Sequence, residues 1–145
     1  MTTSSVCQQV IDRMLAALVN ATEAGDRVFD SREAAFARDE MPSIAITAPD
    51  TEETQIFGQG VDQNTALVTV DVIVRDDVWR PVADRIAVAV HRILQRDSQL
   101  QALVVTIRKD GRKWASAEAD QTAGIDSITY RFIYLSLSND LTSTI

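Results

Sequence analysis

Residues 65–75 read TALVTVDVIVR and carry the clearest strand signal of the chain. From residue 68 to residue 74 every second position holds a valine: Val68, Val70, Val72 and Val74. The alternate positions include three polar residues: Thr69, Asp71 and Arg75. Because successive side chains of a strand point to opposite faces, a period of two predicts a strand with one face against an apolar core. The segment is therefore predicted to be a long strand of a sheet.

Three more segments are predicted to be strands of the same sheet. Residues 43–47 lie between two prolines and contain β-branched residues, and residues 125–137 alternate for long enough to cross a whole sheet. Residues 104–107 are predicted to be a further strand. The Asp-Gly pair at 110–111 predicts a hairpin turn, with Trp114 on the return strand.

Two segments have the three- and four-residue apolar spacing of amphipathic helices. The first is predicted to span residues 5–23, where Ser5 and Gln8 resemble a capping box and Gly25 is a good stop. The second is predicted to span residues 77–95, with the preceding Asp-Asp pair as its N-cap.

Residues 48–63 are predicted to be a long, flexible loop. They are rich in acidic, Gln and Gly residues, and Ile56 and Phe57 are among their few apolar members. A connection of this length is usually functional or mobile. With residues 138–145 as a C-terminal tail, the elements predict a single α+β domain over residues 1–145. Its sheet is mainly antiparallel or mixed, with two helices packed on one face.

The composition fits one domain and excludes several functions. The chain has 145 residues, 46% of them hydrophobic and 24% charged, with a mean hydropathy of -0.04. Its net charge of -7 argues against wrapping nucleic acid or binding a membrane through a basic helix. A single cysteine excludes an internal disulfide, and a single histidine excludes a histidine-rich metal centre. No metal or cofactor is expected. Without an apolar span or a signal core, the protein is expected to stay in the cytoplasm where it is made.

No set of residues forms a recognisable catalytic motif. His91 is predicted to lie on the second helix as a partly buried polar residue or a cation near the helix end, since a general base would need partners. Cys7 is expected to be a small structural residue. Capping and solvation explain the carboxylate pairs at 39–40, 52–53 and 76–77.

One basic cluster stands out in this acidic chain and is a candidate contact surface. It contains Arg108, Lys109, Arg112, Lys113 and Trp114. A nucleic-acid contact is one interpretation. A solvated turn or a docking point for an acidic neighbour is favoured by the charge of the whole chain. Three other residues complete the candidate interface, with burial in the monomer as the alternative for the aromatic ones: Ile56, Phe57 and Trp79.

The segment 27–46 carries Phe29-Asp30, then Arg32, and then Pro42 at the head of a strand. With these features it resembles the start of the phage-lambda-type minor tail protein U family, the tail terminators of long-tailed bacteriophages. The family has an N-terminal helix, an aromatic-Asp-x-Arg segment and a Pro-led strand. A variable loop, a long alternating strand, a second helix, a hairpin and a final strand follow. The chain has the same order over residues 5–137.

The resemblance implies a structural protein without catalytic residues. Such a protein forms a hexameric ring on the end of the completed tail tube, stops tube polymerisation and offers a surface for head-tail joining. The implied partners are further copies of the chain, the tail tube protein and the head-tail connector protein, with DNA only passing through the lumen. The implied location is the virion tail, assembled in the cytoplasm of the bacterial host.

A ring of this kind is compatible with the composition. A cyclic ring joins two different faces of the subunit, and an exposed strand edge such as Ser43–Thr47 is a natural place for such pairing. The loop at 48–63 and the hairpin at 108–114 are further candidate contacts. A negative subunit suits a lumen through which DNA passes without adhering.

Three other functions remain open. The chain could be another neck or tail-completion protein of a virion. It could be a small α+β enzyme of the cytoplasm, with Cys7, His91 or a carboxylate pair in a cleft, which requires a deep pocket and a perturbed titratable group. It could also be an adaptor domain that binds a peptide along its sheet edge. A ring subunit needs a core and two contact faces but no active site, so the absence of a motif favours the terminator.

Overall fold

The computed structural model describes residues 4–36, 42–116 and 123–144. Within these ranges lie six strands: β1 (Val28–Phe29), β2 (Ser43–Thr47), β3 (Glu52–Gly58), β4 (Val61–Arg75), β5 (Thr106–Ser116) and β6 (Ala123–Leu137). The same ranges hold four helices: α1 (Val6–Leu18), α2 (Arg32–Phe36), α3 (Trp79–Arg96) and α4 (Ser98–Leu103). The predicted α+β class is confirmed.

All six strands belong to one mixed sheet. Their order is β1-β2-β4-β6-β5, and β3 pairs with the first residues of β4. β1 and β2 are parallel, and the other described pairs are antiparallel. β4 and β6 pair over their whole length, from Val61 opposite Leu137 to Arg75 opposite Ala123. The strand predicted at 65–75 is therefore confirmed; it begins already at Val61 and lies at the centre of the sheet.

The main core lies between the sheet and the helices α1, α3 and α4. The valines at every second position of β4 face it, together with Tyr130, Phe132 and Tyr134 of β6. The helices contribute a further set of buried apolar residues: Val6, Val10, Met14, Leu18, Ile86, Val90, Leu94 and Leu100. Burial of these side chains supplies the main driving force for folding. The apolar face predicted for residues 65–75 is confirmed as the core face.

A second, smaller apolar cluster covers the other face of the sheet. There Ala35 of α2 packs with Ala45, Ile73 and Ile125, and Phe29 lies against them. The prediction of two helices on one face therefore misses two short helices. Of these, α4 joins the main core and α2 lies on the opposite face.

The first helix is shorter than predicted, because it ends at Leu18. The Ser5 hydroxyl accepts a hydrogen bond from the Gln8 backbone amide at 3.1 Å, which confirms the Ser5 half of the predicted capping box, whereas the Gln8 side chain donates to Asp12 at 2.9 Å. The predicted stop at Gly25 is wrong. Asn20 already adopts a left-handed conformation with φ +58°, which asparagine tolerates, and its amide donates to the Gly25 carbonyl at 2.8 Å to close a loop.

The second predicted helix begins at Trp79, slightly later than predicted. An Asp76 carboxylate oxygen accepts from the Val78 amide at 2.8 Å, so it braces the turn before the helix and is not the N-cap. Asp97 ends this helix and caps α4, because its carboxylate accepts from the Leu100 amide at 2.9 Å.

The predicted C-terminal tail is tied to α1 over its described residues, 138–144. The Val6 amide donates to the Leu141 carbonyl at 2.7 Å, and Gln9 Nε2 donates to the Thr142 carbonyl at 3.0 Å. The first bond satisfies one of the backbone amides at the N-terminal end of α1 that lack partners within the helix, and the second adds a side-chain contact to the tail.

The long loop predicted at 48–63 is wrong, because β3 and the start of β4 form a hairpin there. Its turn is Gly58-Gln59-Gly60, whose φ angles are +86°, +57° and +76°. Glycine adopts such angles without strain. The residues of β3 are exposed on both faces of the strand. Alternation of apolar and polar residues arises when one face of a strand packs against a core. Because solvent lies on both faces of β3, its sequence lacks the period of two.

The hairpin predicted at 110–111 is also wrong. β5 runs through this point without reversing, and the Asp-Gly pair makes a bulge between Lys109 and Gly111. Gly111 does not adopt the positive φ that a two-residue hairpin turn of this type needs. The length of β6 decides between a turn and a bulge, because it offers β5 partners from Ile133 to Gly124.

Gly124 of β6 makes room for the Trp79 ring. A Cβ at Gly124 would lie 1.9 Å from Trp79 Cδ2. We expect Gly124→Ala to lower the free energy of unfolding by about 1–3 kcal/mol, the usual cost of overpacking a filled core. Urea denaturation measures this loss. Gly111→Ala is the matched control, because a Cβ there meets nothing within 4 Å.

The overlap also predicts coupling between the two positions. Adding Trp79→Leu to Gly124→Ala is expected to cost less than the sum of the two single changes, since the smaller side chain frees the space that the methyl group needs. Strictly additive losses would show that the Trp79 ring does not limit Gly124.

Candidate functional site

The residues predicted as interface candidates lie on three elements of the fold. Trp79 is the first residue of α3, and Ile56 and Phe57 lie near the end of β3. The basic cluster lies along β5: Arg108, Lys109, Arg112, Lys113 and Trp114. The structure therefore does not bring the candidates into a single site.

The basic cluster is divided between the two faces of the sheet by the bulge after Lys109. Residues directly opposite each other in an antiparallel pair share a face. The register with β6 places Lys109, Arg112 and Trp114 on the face that carries α3, and Arg108 and Lys113 on the other face. The cluster is therefore a two-sided edge strand and not the hairpin tip that was expected.

Asp126 of β6 is fully buried and holds two members of this cluster in place. Its carboxylate accepts hydrogen bonds from Arg112 Nε at 2.9 Å and Nη2 at 2.6 Å, and from Trp114 Nε1 at 3.0 Å. Arg112 Nη2 also donates to Asp84 of α3 at 2.8 Å. The hydrogen bonds with Asp126 are the main reason that the pKa of Arg112 is raised. Arg112 thus ties β5 to β6 and α3 and is not a free docking cation.

Both tryptophans pack within the subunit. Trp79 is partly buried against the main core. This agrees with the alternative prediction, which was burial within the monomer. Trp114 keeps 38% of its surface exposed. The guanidinium carbons of Arg80 and Arg112 lie 4.5 and 4.8 Å from the centroid of the Trp114 ring, at cation–π distance.

A groove of about 370 Å³ lies between α3 and β5. Its walls are formed by Ala87, Val88, His91, Arg92, Gln95, Arg96, Lys109, Arg112 and Ile128. The charged residues of this lining are basic, so the groove is positive on a chain of net charge -7. It also has an apolar part, formed by Ala87, Val88 and Ile128.

His91 of this groove is the partly buried polar residue that was predicted, and it is not a cation at the helix end. Its Nδ1 lies 2.9 Å from the Tyr130 hydroxyl. Burial, followed by the charges of Lys109 and Arg112, lowers the pKa of His91. The histidine is therefore neutral at pH 7 and forms a hydrogen bond within the fold.

The strand β3 is open to solvent. Ile56 is 78% exposed and Phe57 56% exposed. Glu52 and Glu53 make the strand acidic. Glu52 accepts a hydrogen bond from the Tyr134 hydroxyl at 2.5 Å, whereas Glu53 is exposed on the other face. β3 therefore combines exposed apolar side chains with negative charge.

Two long strands of the described sheet have one strand neighbour each. Among the described strands, β5 pairs with β6 and β3 pairs with β4, so each presents an outer edge. These edges lie on opposite sides of the β4–β6 pair. The expectation of an exposed strand edge at Ser43–Thr47 is wrong, because β2 lies between β1 and β4 and pairs with both.

The second face of the sheet carries a buried ion pair whose two residues were not among the predicted site residues. Arg32 of α2 donates to buried Asp71 of β4, with Nε and Nη2 at 2.7 and 3.0 Å from the two carboxylate oxygens. The Ser127 hydroxyl bonds to the same carboxylate. Two signals point to it in the sequence: an aspartate among the valines of β4, and the arginine that follows Phe29-Asp30.

Two of the three carboxylate pairs of the sequence lie within the described ranges. The carboxylate pairs at 52–53 and 76–77 are exposed on a strand and in a turn, and the pair at 39–40 lies outside the described residues. Within those same ranges no group of three or more His, Cys, Asp and Glu side chains could hold a metal ion. No described helix is long and apolar enough to cross a membrane.

Cys7, in the first turn of α1, is a poor nucleophile. Burial, with a smaller contribution from Glu52, raises the pKa of its thiol from 9.0 to about 11. Because the thiolate is the reactive form, we expect iodoacetamide at pH 8 to alkylate Cys7 about 100-fold more slowly in the native protein than in the urea-unfolded chain. Mass spectrometry over time measures both rates. Equal rates would contradict the raised pKa.

Comparison with known proteins identifies a similar fold. The sequence matches no protein-family model and no curated protein. The structure is similar to a chain of the virion of a native gene transfer agent particle, with a TM-score of 0.55 and 16% sequence identity. The match covers 91% of this chain and 92% of that chain. At this identity, the likeness shows a shared fold.

Proposed function

We propose that the protein is a structural subunit of a phage or prophage particle, and specifically its tail terminator. The observation that carries this proposal is the fold shared with a virion chain over nearly the full length of both chains. The resemblance of segment 27–46 to the tail-terminator family supports the finer assignment. In this role the protein has no catalytic residue, metal or cofactor.

The proposed subunit forms a hexameric ring at the end of the tail tube. The ring stops tube polymerisation and provides the surface for head-tail joining, so its partners are the tube protein and the head-tail connector protein. Two outer strand edges on opposite sides of one sheet supply the different faces that a cyclic ring requires. The net charge of -7 suits a lumen through which DNA passes. The protein is assembled in the bacterial cytoplasm and resides in the virion tail.

Deletion of the gene from the bacterium that carries it tests this function. After induction of particles, electron microscopy is expected to show tail tubes of uncontrolled length without heads, and a plasmid copy of the gene is expected to restore complete particles. Headless tails of normal length would instead assign the chain to another neck or tail-completion step. Unchanged particles would contradict a role in the virion.

Size-exclusion chromatography with light scattering tests the ring directly. We expect the mass of a hexamer of the 16.0 kDa chain at high concentration or on addition of isolated tail tubes. A chain that stays monomeric at every concentration and does not bind tube ends would contradict the proposal.

A further inference from the structure

We propose that β3 of one copy pairs with β5 of the next copy, so that the sheet continues from subunit to subunit around the ring. This inference rests on the proposed function, since it names the interface that closes the ring. It is carried by the juxtaposition of an acidic strand edge and a basic strand edge on opposite sides of one sheet.

Both strands have the backbone groups that such pairing needs. β3 has 7 residues and β5 has 11, and each is paired on one side among the described strands. An outer edge presents a row of unpaired N–H and C=O groups and is a template for a further strand. The residues of β3 are exposed, so a second chain has access to the whole strand.

The charges of the two edges select one pairing out of three. β3 carries Glu52 and Glu53 and no basic residue. Apart from Arg112, whose charge Asp126 and Asp84 compensate, β5 carries three basic residues and one acidic residue: Arg108, Lys109, Lys113 and Asp110. Like charges on facing strands repel, which disfavours β3 with β3 and β5 with β5. Pairing of β3 with β5 joins two different surfaces, and this heterologous contact builds a ring when the rotation between copies closes, whereas it does not build a two-fold dimer.

The faces of the two strands also agree. The register with β4 places Glu53 on the face away from α3, which is the face that carries Arg108 and Lys113. Because a sheet keeps its two faces when a strand is added, Glu53 of one copy is placed on the same side as these two cations of the next. Opposite charges on neighbouring strands stabilise the pairing.

The apolar residue Ile56 fits the other face of the same junction. Ile56 lies opposite Asp62 of β4, on the face that carries the helices. A copy of β3 added beside β5 presents this side chain toward the groove between α3 and β5. The apolar part of that groove, formed by Ala87, Val88 and Ile128, then covers a side chain that is 78% exposed in the single subunit.

Two charge-reversed variants test the pairing. Glu53→Lys makes both edges positive on the face away from α3, and the double variant Arg108→Glu, Lys113→Glu makes both edges negative there. We expect each variant alone to need at least about tenfold more protein for half-assembly, as measured by light scattering. An equimolar mixture is expected to form rings again, because the two variants alternate and every junction regains opposite charges.

Controls separate assembly from folding. The three substituted side chains are exposed, so circular dichroism is expected to show the same fold in every variant. Asp26→Lys makes the same charge change as Glu53→Lys at an exposed site in the loop after α1, and it is expected to assemble like the unmodified chain. The milder Glu53→Gln gives a second measurement, with a smaller loss of assembly expected.

The outcomes distinguish this inference from the proposed function. Rings that form equally well from the unmodified chain and from both variants would overturn the strand pairing and leave the ring intact. Folded variants that fail alone and also fail when mixed would overturn it as well. An unmodified chain that never assembles, even on tail tubes, would overturn the proposed function and the pairing together.

Discussion

Arg32→Ala is expected to lower the free energy of unfolding by about 3 kcal/mol. Asp71, its partner, is fully buried, and Arg32 supplies that carboxylate with two hydrogen bonds and its countercharge. Without the guanidinium, only the Ser127 hydroxyl remains among the described side-chain donors to Asp71. The expected loss lies at the low end for a broken buried pair because the Arg32 side chain is 46% exposed, so water can partly replace it. Urea denaturation at pH 7 measures it.

Three controls identify the unpaired charge as the cause. Arg32→Lys keeps the charge but not the two-pronged geometry, so an intermediate loss is expected. Adding Asp71→Val to Arg32→Ala removes the unpaired carboxylate and is expected to recover part of the stability. Glu33→Ala changes an exposed neighbour on the same helix and is expected to have little effect. A double variant as unstable as Arg32→Ala would contradict the explanation.

The long elements of this fold are predictable because each buries one face. The period of two in β4 and β6 and the three- and four-residue spacing in α1 and α3 both follow from contact with a single core. β3 leaves no such pattern, since solvent surrounds it. The short helices α2 and α4 depend on distant partners: Arg32 of α2 binds Asp71, and Arg13 binds Asp97 at the start of α4. Contacts of this kind join residues far apart in sequence.

Local sequence patterns give wrong predictions where the same residues fit two different backbone structures and only the tertiary contacts determine which one forms. The Asp-Gly pair at 110–111 predicts a turn, but the partner strand β6 continues past it and makes it a bulge. Gly25 predicts the end of the first helix, but the helix already ends at Leu18, where Val19 turns extended, and Gly25 belongs to the loop that the Asn20 amide closes. In both cases the sequence correctly identifies a position where the backbone is irregular, but it does not identify which irregular structure forms there.

The candidate site was predictable in residue type and not in geometry. The sequence identifies Arg108 and Lys113 as basic and Ile56 and Phe57 as unpartnered apolar residues, and the structure finds all four exposed. The division of the basic cluster between two faces depends on one extra residue in β5, which no pattern of charges reveals. Trp79 packs in the monomer because Gly124, far away in sequence, leaves room for it.

Asp126→Ala is expected to lower the free energy of unfolding by about 3–5 kcal/mol. The substitution removes the acceptor of three hydrogen bonds, two from Arg112 and one from Trp114. The Arg112 side chain is only 23% exposed, so its charge is left poorly solvated with the half-exposed Asp84 as its remaining ion-pair partner among the described residues. Urea denaturation measures the loss, and tryptophan fluorescence is expected to report a changed environment of Trp114 in the native state.

Asp84→Ala is the matched control for this prediction. It removes the other carboxylate bound to Arg112, whose side chain is 55% exposed, and a loss below about 1 kcal/mol is expected for such a surface pair. Equal losses for Asp84→Ala and Asp126→Ala would show that burial of the carboxylate does not set the cost.

Because Asp126 also fixes the position of β5 through Arg112 and Trp114, Asp126→Ala is expected to weaken subunit assembly under conditions where the variant is still folded. Asp84→Ala is expected to leave assembly largely unchanged, since the three bonds to Asp126 still hold the strand.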